Sequence, residues 1–122
     1  MDRIVVVILI IFFIYRQRKN ENKISAEEAK EIMDRENPII LDVRTQEEYE
    51  DIRIEGSILI PDYDLKRMAE TKLPDKDSKI LLYCKTGSRS KRAARRLVKM
   101  GYRDVNDFGG IIYWPYKTIR GK

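Results

Sequence analysis

"LLYCKTGSRSKRAARRLVKM" (residues 81–100) holds the only cysteine of the chain, and that cysteine sits where an apolar run stops. Short apolar runs bounded by turn signals read as buried strands, which predicts a strand over Lys79–Cys84. Beyond Gly87, "SKRAARRLVKMG" places Ala93, Ala94, Leu97 and Val98 on one helical face, with Gly101 to end the helix. A buried strand thus runs through the loop "CKTGSR" into a helix that begins within about six residues, the local signature of a parallel βαβ unit.

The flanking sequence repeats the pattern. "NPIILDVR" predicts a buried strand at Ile39–Val43, "GSILIP" one at Ser57–Ile60 stopped by Pro61, and "RDVNDF" a further short strand. Between them lie helices. "SAEEAKEIM" opens with Ser25 and Glu28 in capping-box spacing, and "TQEEYEDI" repeats it with Thr45 and Glu48. "DYDLKRMAETK" puts Leu65, Met68 and Ala69 at helical spacing, with Asp62, Tyr63 and Asp64 at the helix entry. A Gly turn and an aromatic-rich segment, "GGIIYWPY", follow the last strand, and Asn20–Lys23 reads as a polar linker. Apolar strands alternating with helices imply an α/β fold: a central, mostly parallel sheet with helices on both faces, forming one domain over residues 20–122.

Residues 1–19 are different. Ile4–Tyr15 is unbroken apolar sequence, followed at once by Arg16, Arg18 and Lys19. A secretory signal would carry its basic residues first and a small-residue cleavage site after, so a transmembrane anchor helix is the expectation. Such a helix rises roughly 22 Å over Met1–Tyr15, against about 30 Å of hydrocarbon, and needs snorkelling of the basic flank and local thinning to span. One Lys/Arg precedes the segment and three follow it, which orients a single-pass protein of the cell membrane with its domain facing the cytoplasm.

Composition narrows the chemistry. The 122 residues include 25 Lys/Arg, 20 Asp/Glu and no histidine, for a net charge of +5. Without histidine there is no Cys–His dyad and no imidazole general base, and no metal or cofactor motif is present. "SKRAARR" straddles an apolar helical face and reads as a solvated helix side rather than a nucleic-acid patch. A single thiol forms no internal disulfide and fits a reducing compartment.

By type alone, a strand-end cysteine is a core residue. The spacing Cys-x-x-Gly-x-Arg between strand and helix argues for a nucleophile instead. Ligands in parallel sheets bind at the carboxyl ends of strands, and a helix N-terminus beyond the loop presents amides and positive dipole. Lys85 and Arg89 add charge, Gly87 supplies the bend, and each of these favours thiolate over thiol.

"LDVRTQEEYEDIRIEGSILIP", "ILLYCKTGSRSKRAARRL" and "DFGGIIYW" together resemble a single-domain rhodanese, a sulfurtransferase family, over roughly residues 24–117. The family's Asp-Val-Arg matches Asp42, Val43 and Arg44. Its Gly-(Ala/Ser)-x-x-Ile-Pro matches Gly56, Ser57, Ile60 and Pro61, and its Gly-Gly-x-x-x-Trp matches Gly109, Gly110 and Trp114. The resemblance implies Cys84 as catalytic nucleophile and Lys85, Thr86, Gly87, Ser88 and Arg89 as the loop that holds the substrate and then the persulfide. It implies no cofactor. The partners it implies are a small sulfur-containing anion and a thiol or cyanide-like acceptor. Lys85 is expected to attract the donor, and Arg89 to pin the loop through an acidic residue such as Asp42 or by capping carbonyls. Asp42 and Arg44 are expected as supporting residues. Where the family has Gly-His-Ile, this chain has Ile52, Arg53 and Ile54. Related phosphatases place five residues between Cys and Arg, and here that position is Ser90. The competing class is a catalytically idle rhodanese-like module used for interaction or regulation at the membrane.

Overall fold

The structure is a computed structural model that describes residues 2–17 and 20–122. After helix α1 (Arg3–Gln17), the chain runs β1 (Asn22–Lys23), α2 (Ala26–Arg35), β2 (Ile39–Asp42), α3 (Gln46–Asp51) and β3 (Ile58–Leu59). A 3₁₀ turn (Asp62–Asp64) leads to α4 (Leu65–Lys72), β4 (Ile80–Cys84), α5 (Ser88–Lys99), β5 (Val105–Gly110) and a last 3₁₀ turn (Ile111–Tyr113).

The strands form one five-stranded sheet in the order β1-β5-β4-β2-β3, and every neighbouring pair is parallel. β4 lies at the centre with all five residues buried, which is why its sequence is apolar at every position instead of alternating. Its side chains still alternate between faces. Ile80, Leu82 and Cys84 join a core with α4 and α5 through Leu65, Ala69, Leu73, Ala93, Ala94 and Leu97. Leu81 and Tyr83 join Ala29 of α2 with Phe108, Ile111 and Trp114 on the opposite face. Cys84 therefore points to the side that α5 covers.

Three local expectations are corrected. The linker Asn20–Lys23 contains β1: Asn22 and Lys23 pair with Asn106 and Asp107, and Asn22 Nδ2 donates to Asn106 Oδ1 at 3.0 Å. Two residues are too few to carry an apolar pattern, so an edge strand of this length leaves no signal in the sequence. The strand expected over Ser57–Ile60 shrinks to Ile58–Leu59, because the Ser57 amide donates to Ile54 O in the preceding turn. The strand expected to stop at Phe108 continues to Gly110, with a bulge where Leu82 faces Asp107 but Cys84 faces Gly110.

α1 is a helix, as the apolar run implies, but it is 15 residues long. Its residues Ile4–Ile14 are each at least 37% exposed, and none belongs to either core. Among the described residues, no helix is long and apolar enough to cross a membrane. The transmembrane expectation for residues 1–19 thus lacks support in the fold. Arg18 and Lys19 of its basic flank lie outside the described residues.

Candidate active site

The loop after β4 closes tightly around the Cys84 sulfur. Gly87 adopts φ +115°, a left-handed conformation open to glycine, and caps the N-terminus of α5. That bend turns the Gly87 amide back onto Cys84, where it donates to Sγ at 3.0 Å. Ser90, one turn into α5, is fully buried, and its Oγ lies 3.5 Å from Sγ in position to accept from the thiol. The same Oγ reaches Gly87 O at 3.1 Å and Gly109 O at 3.4 Å. Cys84 itself is 0% exposed. The core reading and the loop reading thus both describe it: the side chain packs with the α5 face while its sulfur meets the loop's polar groups.

The end of β5 forms the wall behind the loop. A Cβ on Gly110 would lie 2.3 Å from Lys85 O and 2.7 Å from Thr86 Cα, so only glycine lets the two backbones meet there. The Ile112 amide then donates to Lys85 O at 3.3 Å. Gly109, at φ +91°, carries the bulge that permits this approach, and its amide is held by Asp107 Oδ1 at 2.9 Å.

Arg89 does not pair with Asp42. Its two terminal nitrogens clasp Glu48 of α3, Nη1 to Oε1 at 2.7 Å and Nη2 to Oε2 at 2.9 Å. Glu48 is also the capping-box residue of α3, accepting from the Thr45 amide at 3.0 Å. The hydrogen bonds from Arg89 pull the Glu48 carboxyl down from 4.5 to about 2. In return the Glu48 carboxylate raises Arg89, with the nearby Cys84 sulfur contributing in the same direction.

Asp42 serves Arg44 instead. The Arg44 amide and Nε donate to Asp42 Oδ1 at 2.9 and 3.0 Å, and Nη2 donates to Oδ2 at 2.8 Å. The two side chains are 0% and 2% exposed. Burial works against the Arg44 charge, yet Asp42 more than offsets it and the guanidinium is raised overall. Arg44 also donates to Ile52 O and lies 5.6 Å from the Tyr83 ring centroid. Tyr83 OH in turn accepts from the Ile54 amide at 3.1 Å and donates to Ser57 Oγ at 3.2 Å. Burial is the main cause that pushes the Tyr83 phenol up. This network fixes the Ile52–Ser57 segment under the sheet rather than touching the loop. Within it, Arg53 exchanges backbone hydrogen bonds with Ile119 at 2.8 and 2.9 Å and stacks over Tyr49 at 4.7 Å.

Lys85, Thr86 and Ser88 are exposed at the rim. Among the described residues the Lys85 ammonium has no ion-pair partner, and no cluster of three or more His, Cys, Asp or Glu could hold a metal. Sequence reasoning missed Glu48 and Ser90 as parts of the site. Glu48 was already explained by its cap, and a serine two residues after the loop glycine-serine pair carries no motif of its own.

Known proteins resemble this chain in sequence and fold. Residues 25–114 match the rhodanese-like domain family. The chain is 37% identical over 81 residues to the thiosulfate sulfurtransferase PspE of Escherichia coli, covering 66% of this chain and 78% of that one. It is 32% identical over 93 residues to the thiosulfate sulfurtransferase GlpE of Coxiella burnetii, covering 75% and 85%. Among solved structures, the Alr3790 protein from Anabaena superposes with a TM-score of 0.74 at 27% identity, over 80% of this chain and 92% of that one. A rhodanese with anions from E. coli superposes at 0.62 with 29% identity, over 69% and 99%. A parallel sheet with a cysteine loop folded onto the helix that follows, matched by family over three quarters of its length, makes this chain a member of the rhodanese-like domain family.

Proposed function

We propose that this protein is a sulfurtransferase that takes sulfane sulfur from a donor such as thiosulfate onto Cys84 and hands it to a thiophilic acceptor. The observation that carries this reading is the 3.0 Å hydrogen bond from the Gly87 amide to Cys84 Sγ, in a loop that opens α5. An amide aimed at a sulfur by a left-handed glycine is a donor placed where negative charge resides. The Cys84 thiolate attacks the outer sulfur of thiosulfate. The new bond joins Sγ to that sulfur, the donor's S–S bond breaks, and its electron pair departs with sulfite. The persulfide charge then rests on the outer sulfur, facing the first-turn amides of α5, which have no carbonyl within the helix to receive them. A thiolate or cyanide attacks the outer sulfur and regenerates the Cys84 thiolate. Lys85, exposed at the rim and without an ion-pair partner among the described residues, draws in the anionic donor.

α1 is proposed to attach the domain to a membrane, which would place the domain on the cytoplasmic side by the charge asymmetry around residues 4–15. Eleven exposed apolar residues in a row support attachment, and recovery of the full-length protein in the soluble fraction after lysis would refute it.

Transfer is tested by intact mass. Full-length protein and Cys84→Ser are incubated with thiosulfate, then with polysulfide. A gain of one sulfur on the parent and none on the variant is expected. No gain from either donor, with the protein folded, would leave the idle interaction module as the reading.

A further inference from the structure

We propose that Ser90 is a catalytic hydrogen-bonding residue of the Cys84 centre, a switch whose single hydroxyl proton follows the charge on the sulfur. Three polar atoms surround Ser90 Oγ: Cys84 Sγ, a donor as thiol and an acceptor as thiolate, at 3.5 Å, and the acceptors Gly87 O at 3.1 Å and Gly109 O at 3.4 Å. A hydroxyl has one proton and two lone pairs, so it can accept from the thiol while donating, but it serves the acceptors around it only in turn. While Cys84 is a thiol, its S–H donates to Ser90 Oγ, and the hydroxyl proton points to the Gly87 or Gly109 carbonyl. Once the thiol proton has left, Sγ only accepts. Rotation of the hydroxyl then gives the thiolate a second donor beside the Gly87 amide at 3.0 Å.

The rotation does not strand the Gly87 carbonyl. Gly87 O keeps its bond from the Lys91 amide at 3.2 Å. Both Ser90 and Cys84 are 0% exposed, so water does not substitute for the hydroxyl at Sγ. A hydrogen bond to a charged group in such a place is worth more than one to a neutral group.

The role of this switch in turnover rests on the sulfurtransferase reading. During transfer, Sγ is negative before attack and negative again when the outer sulfur leaves, but neutral in the persulfide, whose charge sits on the outer sulfur. Ser90 donates to Sγ at the two negative points and returns to a carbonyl between them. It therefore assists both the attack of Cys84 and its departure as a leaving group, with no net proton change across the cycle.

The test is the pH dependence of Cys84 alkylation by iodoacetamide, followed by intact mass on the full-length protein and on Ser90→Ala. Alanine removes one oxygen and is the better helix former, so the fold is retained. Loss of one charge-assisted hydrogen bond is expected to slow alkylation roughly tenfold at the acid end of the profile while the alkaline plateau stays level. Superimposable profiles would overturn the proposal, and so would an equal drop at every pH, which marks a merely structural effect. Persulfide formation on the unmodified protein is scored in parallel with thiosulfate and polysulfide. A displaced profile in Ser90→Ala beside a parent that accepts no sulfur would uphold the hydrogen bond and defeat only the sulfurtransferase reading.

Discussion

Arg89 and Glu48 form a two-point ion pair, 2.7 and 2.9 Å long, that joins the first turn of α5 to the capping box of α3. One glutamate thereby stabilises a helix start and anchors the Cys84 loop, and each terminal guanidinium nitrogen finds its own oxygen. The arrangement spends the Arg89 charge on a neighbour. Lys85 is left as the unpaired cation among the described loop residues.

Replacing Glu48 by Gln keeps a side chain that can complete the capping box but discharges the pair. The pair is a quarter exposed on each side, so its contribution at neutral pH is about 1 kcal/mol. Because the Glu48 carboxyl is depressed from 4.5 to about 2, that contribution is full above pH 4.5 and is lost as pH falls through about 2. Melting temperatures at pH 7, 4.5 and 2.5 should show Glu48→Gln less stable at the first two and the difference closing at the last.

Gly110→Ala tests the close approach of β5 to the loop. The added Cβ meets backbone, not a yielding side chain, at 2.3 Å. Gly110 sits at φ −111°, so the cost is steric and not conformational. Overpacking of this kind costs about 1–3 kcal/mol, read by chemical denaturation, and Cys84 alkylation should change with it as the loop shifts. Gly109→Ala is the contrast: its Cβ meets nothing within 4 Å, and its cost comes from φ +91°, about 1–2 kcal/mol.

Asp42→Asn removes the charge that neutralises Arg44 at a site where both side chains are at most 2% exposed. Breaking a buried pair strands the remaining charge and costs about 3–5 kcal/mol. Urea denaturation should report that loss, while a refolded fraction keeps Cys84 reactive, since neither residue bonds to the loop.

Lys85→Ala should leave stability unchanged, because the ammonium is exposed and unpaired among the described residues. Its effect should fall on capture of an anionic donor. The rate of sulfur uptake from thiosulfate should drop several-fold at low salt, and the difference should shrink as ionic strength rises.

The sheet was legible because β4 is buried on both faces and apolar at every position, with β2 apolar up to Asp42, and the loop that holds Cys84 was legible because that run ends in a glycine bend and a helix. The partners of the arginines were not. Asp42 and Arg44 are two residues apart, and a pair that close in sequence gives no spacing signal across a strand end. Arg89 reaches Glu48 over 41 residues, through a contact that exists only after α3 and α5 flank the same loop. The N-terminal helix was legible as a helix, since Ile4–Tyr15 has no breaker. Whether such a helix spans a bilayer depends on length and flank, and the 15 residues of α1 fall short on the first.

The backbone contact between Gly110 and Lys85–Thr86 also fixes what can be served. With its floor welded to β5 and its far side tethered to α3, the loop has no slack with which to wrap a bulky reactant. The sulfur centre behaves as a fixed socket, and the burden of adaptation falls on whatever visits it. With Cys84 0% exposed, the proposed transfer requires even a small anion to part the exposed rim of Lys85, Thr86 and Ser88, and a protein acceptor would have to bring its thiol on a slender, projecting arm. Selectivity at such a centre is a matter of reach.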